Sequence, residues 1–180
     1  MDATEFRETV EAENRTQLDR LASSQLLVGL TGAELTTEAV LDVAAASEHA
    51  ARETFRAWAA DESDAEAAAA FADVAEREDE HLARVLAAMP DSSGFDPGDE
   101  PGPMHAYLRG RESTVERLAG GTVGRSLVSL RAHTPLVSFF VNEADERRAD
   151  LFRDLKPETG DGMERGLALL EDRRSTGKSG

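Results

Sequence analysis

Residues 90–103 contain four prolines and three glycines, and they interrupt a chain that is otherwise patterned for helices. Proline cannot donate a backbone hydrogen bond inside a helix, so this segment must be an irregular loop. On both sides of it apolar residues recur every three to four positions, and no run alternates apolar and polar residues for long. Alanine is abundant and aromatic residues make up only 5% of the chain. We therefore predict an all-α fold in which this loop connects two pairs of helices.

The apolar periodicity predicts an N-terminal helix, capped by Asp2 and Glu5, and four longer helices. Gly120 and Gly121 are expected to end the third of these four, and Pro157 follows the last. The predicted helices cover 2–22, 38–61, 64–89, 104–119 and 122–155. The predicted organisation is an N-terminal helix and connector over 1–34, an antiparallel four-helix bundle over 35–156 with its crossover at 90–103, and a tail over 157–180 with a short helix around Met163, Leu167 and Leu170.

The charge balance limits the partners of this chain. Aspartate and glutamate total 36 against 20 lysines and arginines, which gives a net charge of −16 and a pI near 4.6. Electrostatic capture of nucleic acid or of an anionic membrane surface is therefore disfavoured. Cysteine is absent, so disulfides, iron–sulfur clusters and thiolate metal sites are excluded. No apolar run is long enough for a membrane span and the N-terminus is acidic, so we expect a cytoplasmic protein.

The basic residues consist of 18 arginines and only two lysines, Lys156 and Lys178. Abundant acidic residues with little lysine resemble the composition of proteins from salt-in halophiles, where concentrated salt screens repulsion between carboxylates. A small basic group near the C-terminus is the only feature that favours nucleic-acid regulation, and it contains Arg165, Arg173, Arg174 and Lys178.

Charged residues occupy apolar positions on the helix stripes at Glu48, Glu78, His81 and Glu112. An isolated carboxylate in a core must become protonated, or find hydrogen bonds, a cation or a metal. Glu78 and His81 lie three residues apart, so both side chains share one helix face and can bind the same ion.

The spacing of these residues repeats along the chain. Glu48 precedes Glu78 by 30 residues and Glu112 precedes Glu143 by 31, and Glu146 then stands where a Glu-x-x-His pattern would place histidine. Each half thus supplies a lone glutamate and a pair of ligands three residues apart. Carboxylate-bridged dinuclear sites in four-helix bundles use this arrangement.

Residues 46–52, Ala-Ser-Glu-His-Ala-Ala-Arg, and residues 75–81, Ala-Glu-Arg-Glu-Asp-Glu-His, resemble the helix motifs of the ferritin-like superfamily, in its rubrerythrin-like branch. The resemblance is specific over 38–90 and weaker over 104–156, where Glu146 replaces the expected histidine. It implies a ferritin-like four-helix bundle whose metal ligands are Glu48, Glu78, His81, Glu112, Glu143 and Glu146.

The resemblance also implies a dinuclear iron or manganese centre with ferroxidase or peroxide-scavenging activity, in which oxygen or hydrogen peroxide is the small oxidant and the chain forms a homodimer. Carboxylates with a single imidazole suit iron or manganese better than copper. The rubredoxin domain of rubrerythrin cannot exist here, because it requires cysteine.

The alternative is a non-catalytic ferritin-like module with a degenerate site, which acts as a scaffold or binds a partner. In that case Glu78 and His81 are core residues satisfied by Arg52 or another arginine. Two further alternatives remain at individual positions. Glu116, one turn from Glu112, could be the inward residue, and the segment around Glu143 also has the pattern of a solvated charge run. His49, His105 and His133 are expected to be surface or isolated histidines.

Overall fold

The computed structural model describes residues 2–176, and this part of the chain contains helices and no strands, as predicted. The first helices are α1 (Ala3–Glu13), α2 (Arg15–Leu21), α3 (Gln25–Leu30), α4 (Thr37–Asp61) and α5 (Ala65–Ala88). After the crossover loop come α6 (Pro103–Arg109), α7 (Thr114–Arg117), a π-helix (Leu118–Gly124), α8 (Arg125–Asn142) and α9 (Glu146–Thr176). None of the helices in residues 2–176 has the length and apolarity that crossing a membrane requires.

The N-terminal segment is two helices instead of the single predicted one. Asp2 and Glu5 form the expected capping box at the start of α1. The break comes at Asn14, whose side chain donates to the Val10 carbonyl at 2.9 Å. Asparagine side chains compete in this way with backbone hydrogen bonds. Both helices lie outside the long helices, because α1 packs on α9 and α2 packs on α8.

Helices α4 and α5 match the predicted 38–61 and 64–89 closely. Thr36 caps α4 by accepting from the Ala39 N–H at 3.1 Å, and Asp64 caps α5 by accepting from the backbone N–H groups of residues 66 and 67. Only three residues separate the two helices, which therefore run antiparallel.

The prediction for the third helix, 104–119, was wrong. Helix α6 ends at Arg109, and a new helical run begins at Thr114 and continues through the π-helix into α8. Gly121 does not end this helical run. A Cβ atom at this position would lie 2.3 Å from Cζ3 of Trp58, so glycine allows the helix to pack closely against the indole ring.

The prediction for the fourth helix, 122–155, was also wrong at its C-terminal end. The chain turns after Asn142 through Ala144, which has a φ of 56°, and Asp145 then accepts from the Arg148 N–H to cap α9. Helix α9 continues through Pro157 to Thr176, so the predicted separate tail helix does not exist; residues 177–180 lie outside the described part. The helix continues because its buried stripe, which includes Leu155 and Met163, extends across the proline.

All four long helices, α4, α5, α8 and α9, contribute to one apolar cluster, the first core cluster. Its largest members include Leu41, Leu82, Phe140, Phe152 and Leu155. A second core cluster includes Phe55, Trp58, Phe71, Leu108 and Leu118. On α4 and α5, the positions between the members of these two clusters are the ones where the sequence places charged residues.

Candidate metal centre

Three of the predicted ligands come together inside the protein. Glu48 on α4 is 6% exposed, and Glu78 and His81 on α5 are each 1% exposed. One oxygen of each carboxylate and one ring nitrogen of His81 lie within 4.8 Å of one another. The prediction that these side chains point inward is confirmed.

The other three predicted ligands lie on the surface and do not join this group. Glu112 is exposed and precedes α7, where the chain is not helical. Glu143 is exposed at the C-terminal cap of α8, and Glu146 is exposed in the first turn of α9, where it accepts from Arg153 at 3.1 Å. Glu116, the alternative to Glu112, is exposed and closes a capping box with a neighbouring serine. Because the helices end elsewhere than predicted, these glutamates do not lie on inward stripes.

An arginine completes the buried group. Arg125, the first residue of α8, is 4% exposed, and its Nη1 donates to Glu78 Oε1 at 2.8 Å while Nη2 lies 2.8 Å from Oε2. The first contact is a charge-assisted hydrogen bond and the second is an ion-pair contact, so the guanidinium faces both oxygens of the carboxylate. Arg52, the arginine named from the sequence, instead donates to Asp79 near the surface at 2.7 Å.

The two buried glutamates have opposite pKa shifts. Burial, together with the negative charge of Glu78, raises the pKa of Glu48 well above its usual value. Burial also tends to raise the pKa of Glu78, but the charge of Arg125 and hydrogen bonds from Glu48 and Arg125 outweigh it and lower this pKa. Of the two carboxyl groups, Glu48 is therefore the one that takes up a proton first as the pH falls. The charges of Glu78 and Arg125 compensate one another, and a proton on Glu48 removes the remaining negative charge.

His81 is held by a carboxylate that was not expected from the sequence. Its Nε2 lies 2.8 Å from Oε2 of Glu158 on α9, and because a carboxylate accepts, Nε2 carries the proton. Glu158 also accepts from Arg84 at 2.9 Å. The other ring nitrogen of His81, Nδ1, is buried without a hydrogen-bond partner and lies 4.0 Å from Oε2 of Glu48.

Two histidines that appear isolated in the sequence are buried. Burial, with the charges of Arg125 and Arg109, lowers the pKa of His105 to about 4. His133 on α8 donates from Nδ1 to the Ser129 carbonyl at 2.7 Å, and burial lowers its pKa as well. His105 Nε2 and His133 Nε2 are both buried without a hydrogen-bond partner. His49 is half-buried, and its Nδ1 lies 3.0 Å from the guanidinium of Arg52.

The helical periodicity of α8 indicates that Arg125 is an inward-facing residue, although it was not identified from the sequence. Positions 125, 129, 133, 136 and 140 follow one another at intervals of three or four, and the last two are the buried Leu136 and Phe140. Arg125 and His133 therefore lie on the apolar stripe of this helix. The preceding π-helix hides the pattern, because its wider turn shifts the register between α7 and α8.

The C-terminal basic group is neutralised where the structure describes it. Arg165 and Arg173 pair with Asp73 and Asp64 of α5 and its N-terminal cap, and Arg174 pairs with Glu171 one turn earlier in α9. Lys178 lies outside the described residues.

The buried group contains two carboxylates and one imidazole within reach of a common ion, with a guanidinium already in contact with one carboxylate. Without a metal, such a group can share one proton between its two carboxylates. A divalent ion would have to displace that proton and bind close to the positive charge of Arg125. Comparisons with protein-family models, with curated proteins and with solved structures found no match to this chain.

Proposed function

We propose that this chain is a ferritin-like helical module of the rubrerythrin-like type in which an internal arginine has replaced the metal centre, and that it acts as a scaffold or binding protein instead of a di-iron oxidoreductase. The observation that carries the proposal is the buried ion pair of Arg125 with Glu78, in which Nη1 donates to Oε1 at 2.8 Å and Nη2 lies 2.8 Å from Oε2.

The energetic argument concerns the compensation of buried charge. An unpaired carboxylate in the core costs several kcal/mol, so Glu78 requires a cation. Arg125 provides this positive charge, and the raised pKa of Glu48 favours the neutral form of the second carboxyl group. A metal is therefore not needed to stabilise the group. A divalent ion placed beside Glu78 would also be repelled by the guanidinium, and the low dielectric of the interior makes that repulsion strong.

A dinuclear centre does not fit the side chains that are present. Bundle sites of this kind draw a glutamate from each of two helices and a Glu-x-x-His pair from each of the other two. Here α4 and α5 supply Glu48, Glu78 and His81, whereas the glutamates predicted for the second half are on the surface. The corresponding side chains on α8 are Arg125 and His133.

A second candidate function is the binding of one iron or manganese ion by Glu48, Glu78 and His81. It is favoured by the buried Nδ1 atom of His81, which has no hydrogen-bond partner and lies 4.0 Å from Oε2 of Glu48. Oxygen and carboxylate ligands with one imidazole suit these two metals. Any ferroxidase or peroxide-scavenging activity of this chain would depend on such an ion.

Metal content decides between the two functions. Untagged protein is reconstituted anaerobically with iron(II) or manganese(II) in concentrated potassium chloride, desalted into the same salt and assayed for bound metal. We expect wild type to retain far less than one ion per chain, as do His81→Ala and the matched surface variant Glu112→Gln. Retention of one ion that is lost in His81→Ala but kept in Glu112→Gln would favour the second candidate. Retention of two ions would establish the dinuclear centre and contradict our proposal.

A further inference from the structure

Two adjoining cavities lead from the surface to the buried charged group. The outer groove has a volume of about 670 Å³ and lies between α3, α4, the crossover loop, α6 and α8. The inner cavity, of about 80 Å³, lies beneath it. The two share lining residues, including Leu26, Val43, Met104 and Val128, and therefore adjoin one another.

The outer groove is lined mainly by apolar residues, and its lining also includes the charged Glu53, Asp99, Glu100 and Arg109. Leu30, which is 54% exposed, lies on one side of it, and Val43, Met104 and Val128 line its interior. Its volume falls in the usual range of small-molecule sites, which are mostly apolar with a few polar groups that fix the orientation of the ligand.

The inner cavity brings polar groups to the end of this apolar groove. Glu48, Arg125 and His133 line it. His133 is 3% exposed, and its Nδ1 must carry a proton, because its partner, the Ser129 carbonyl, can only accept. The neutral ring then has a lone pair on Nε2, and this buried atom has no hydrogen-bond partner. A buried acceptor without a partner destabilises the folded protein, so a hydrogen-bond donor that reaches it is favoured.

Arg125 offers the complementary group. A guanidinium has five N–H donors, and only two nitrogens, Nη1 and Nη2, face Glu78. The inner cavity is therefore lined by a residue with spare donors and by one with a free acceptor. The charges of Glu78 and Arg125 cancel, so a neutral polar group is favoured there. A charged group there would be buried without a counter-ion, because Glu78 and Arg125 already compensate one another.

We propose that the outer groove and the inner cavity together bind an apolar molecule that ends in a hydroxyl group. The apolar chain lies in the outer groove, and the hydroxyl enters the inner cavity, where it donates to Nε2 of His133 and accepts from Arg125. A hydroxyl is small enough for this cavity, since a water molecule occupies about 30 Å³ in the liquid. The proposal needs no metal, so it goes beyond the proposed function and is tested separately.

The test compares three probes of equal chain length: 1-octanol, octanoate and octylammonium. Binding to the full chain is measured by calorimetry and by the melting temperature in concentrated potassium chloride. We expect 1-octanol to bind and to raise the melting temperature, and the two charged probes to bind roughly tenfold more weakly or not at all, as expected when buried charges are left uncompensated. Equal affinity for all three probes, or no binding of 1-octanol, overturns the proposal; the latter result would mean that the cavities hold water only.

Variants locate the bound molecule. His133→Leu removes the acceptor and should abolish the preference for 1-octanol over the charged probes. Val43→Trp fills the outer groove and should abolish binding of 1-octanol, whereas Val115→Trp, at a position that is 52% exposed outside both cavities, should leave it unchanged. If His133→Leu fails to fold, the Val43→Trp comparison still decides the outcome. Binding that survives Val43→Trp would overturn the proposed location.

Discussion

The guanidinium of Arg125 contacts both carboxylate oxygens of Glu78, each at 2.8 Å, and both side chains are at least 96% buried. The pair joins the first residue of α8 to the middle of α5. It supplies, from within the chain, the positive charge that the inward glutamates require. The sequence pattern predicted that a metal would supply this charge, whereas in the folded protein an arginine lies in contact with Glu78.

Arg125→Ala should destabilise the protein strongly. The substitution leaves Glu78 buried without its cation, and breaking one side of a buried ion pair costs about 3–5 kcal/mol. The free energy of unfolding is measured by denaturant titration in concentrated potassium chloride. Arg52→Ala is the matched control, because its partner Asp79 is half-exposed and such pairs contribute about 0–1 kcal/mol. Equal losses in the two variants would show that Arg125 has no special role.

Arg125→Ala should also gain affinity for a divalent ion. Without the guanidinium, Glu48, Glu78 and His81 form an uncompensated group within reach of one ion. Manganese(II) should then raise the melting temperature of Arg125→Ala and leave that of wild type unchanged, since a ligand that binds only the folded state stabilises it. The double variant Arg125→Ala/His81→Ala should lose the gain. A manganese-induced shift of the same size in all three proteins would contradict this expectation.

Glu48→Gln should stabilise the protein at neutral pH but not at pH 4. The folded-state pKa of Glu48 is raised above its usual 4.5, so its contribution is complete below that pH and is lost as the pH rises toward the folded-state value. Glutamine resembles the protonated carboxyl and does not titrate. The free energy of unfolding of both proteins is measured between pH 4 and pH 8. The prediction fails if the difference between them does not grow with pH.

Because Gly121 packs closely against Trp58, even alanine at position 121 should destabilise the protein. In Gly121→Ala the new Cβ would lie 2.3 Å from the indole ring, and overpacking of this kind costs about 1–3 kcal/mol. In Gly124→Ala, one turn later, the nearest atom is the Ala119 carbonyl oxygen at 3.5 Å, which is an ordinary contact. Thermal unfolding should show a lower melting temperature for Gly121→Ala only. Equal melting temperatures would show that Trp58 moves aside at no cost.

The acidic surface predicts that stability depends on salt. With 36 acidic against 20 basic residues, repulsion grows as the screening length increases from about 3 Å at 1 M to about 10 Å at 0.1 M salt. Helicity by circular dichroism and the melting temperature should therefore fall when potassium chloride is diluted from multimolar concentrations to 0.1 M. Constant values over this range would exclude the halophilic interpretation.

The sequence determined the fold class and half of the candidate site. Apolar periodicity and local capping groups such as Thr36 and Asp64 act within a few residues of the chain, so the bounds of α4 and α5 were predicted closely. The same periodicity placed Glu48, Glu78 and His81 on inward faces, because a helix fixes which side chains share a face. For these residues, local patterning was sufficient.

The second half of the site was decided by the tertiary structure. Glu112 and Glu143 repeat the spacing of the first half, but this spacing brings two residues together only if each lies on the inward face of a regular helix. The break after Arg109, the π-helix and the turn at Ala144 changed that register. These features depend on packing between elements distant in sequence, such as Gly121 against Trp58.

The partners of the buried charges were also set by contacts distant in sequence. Arg125 lies 47 residues from Glu78, and Glu158 lies 77 residues from His81. The sequence shows that the inward carboxylates require a cation, because burial of a bare charge is costly wherever it occurs. Which cation satisfies that requirement depends on the side chain that α8 brings to the same depth, and only the packed arrangement of α4, α5, α8 and α9 determines that it is Arg125.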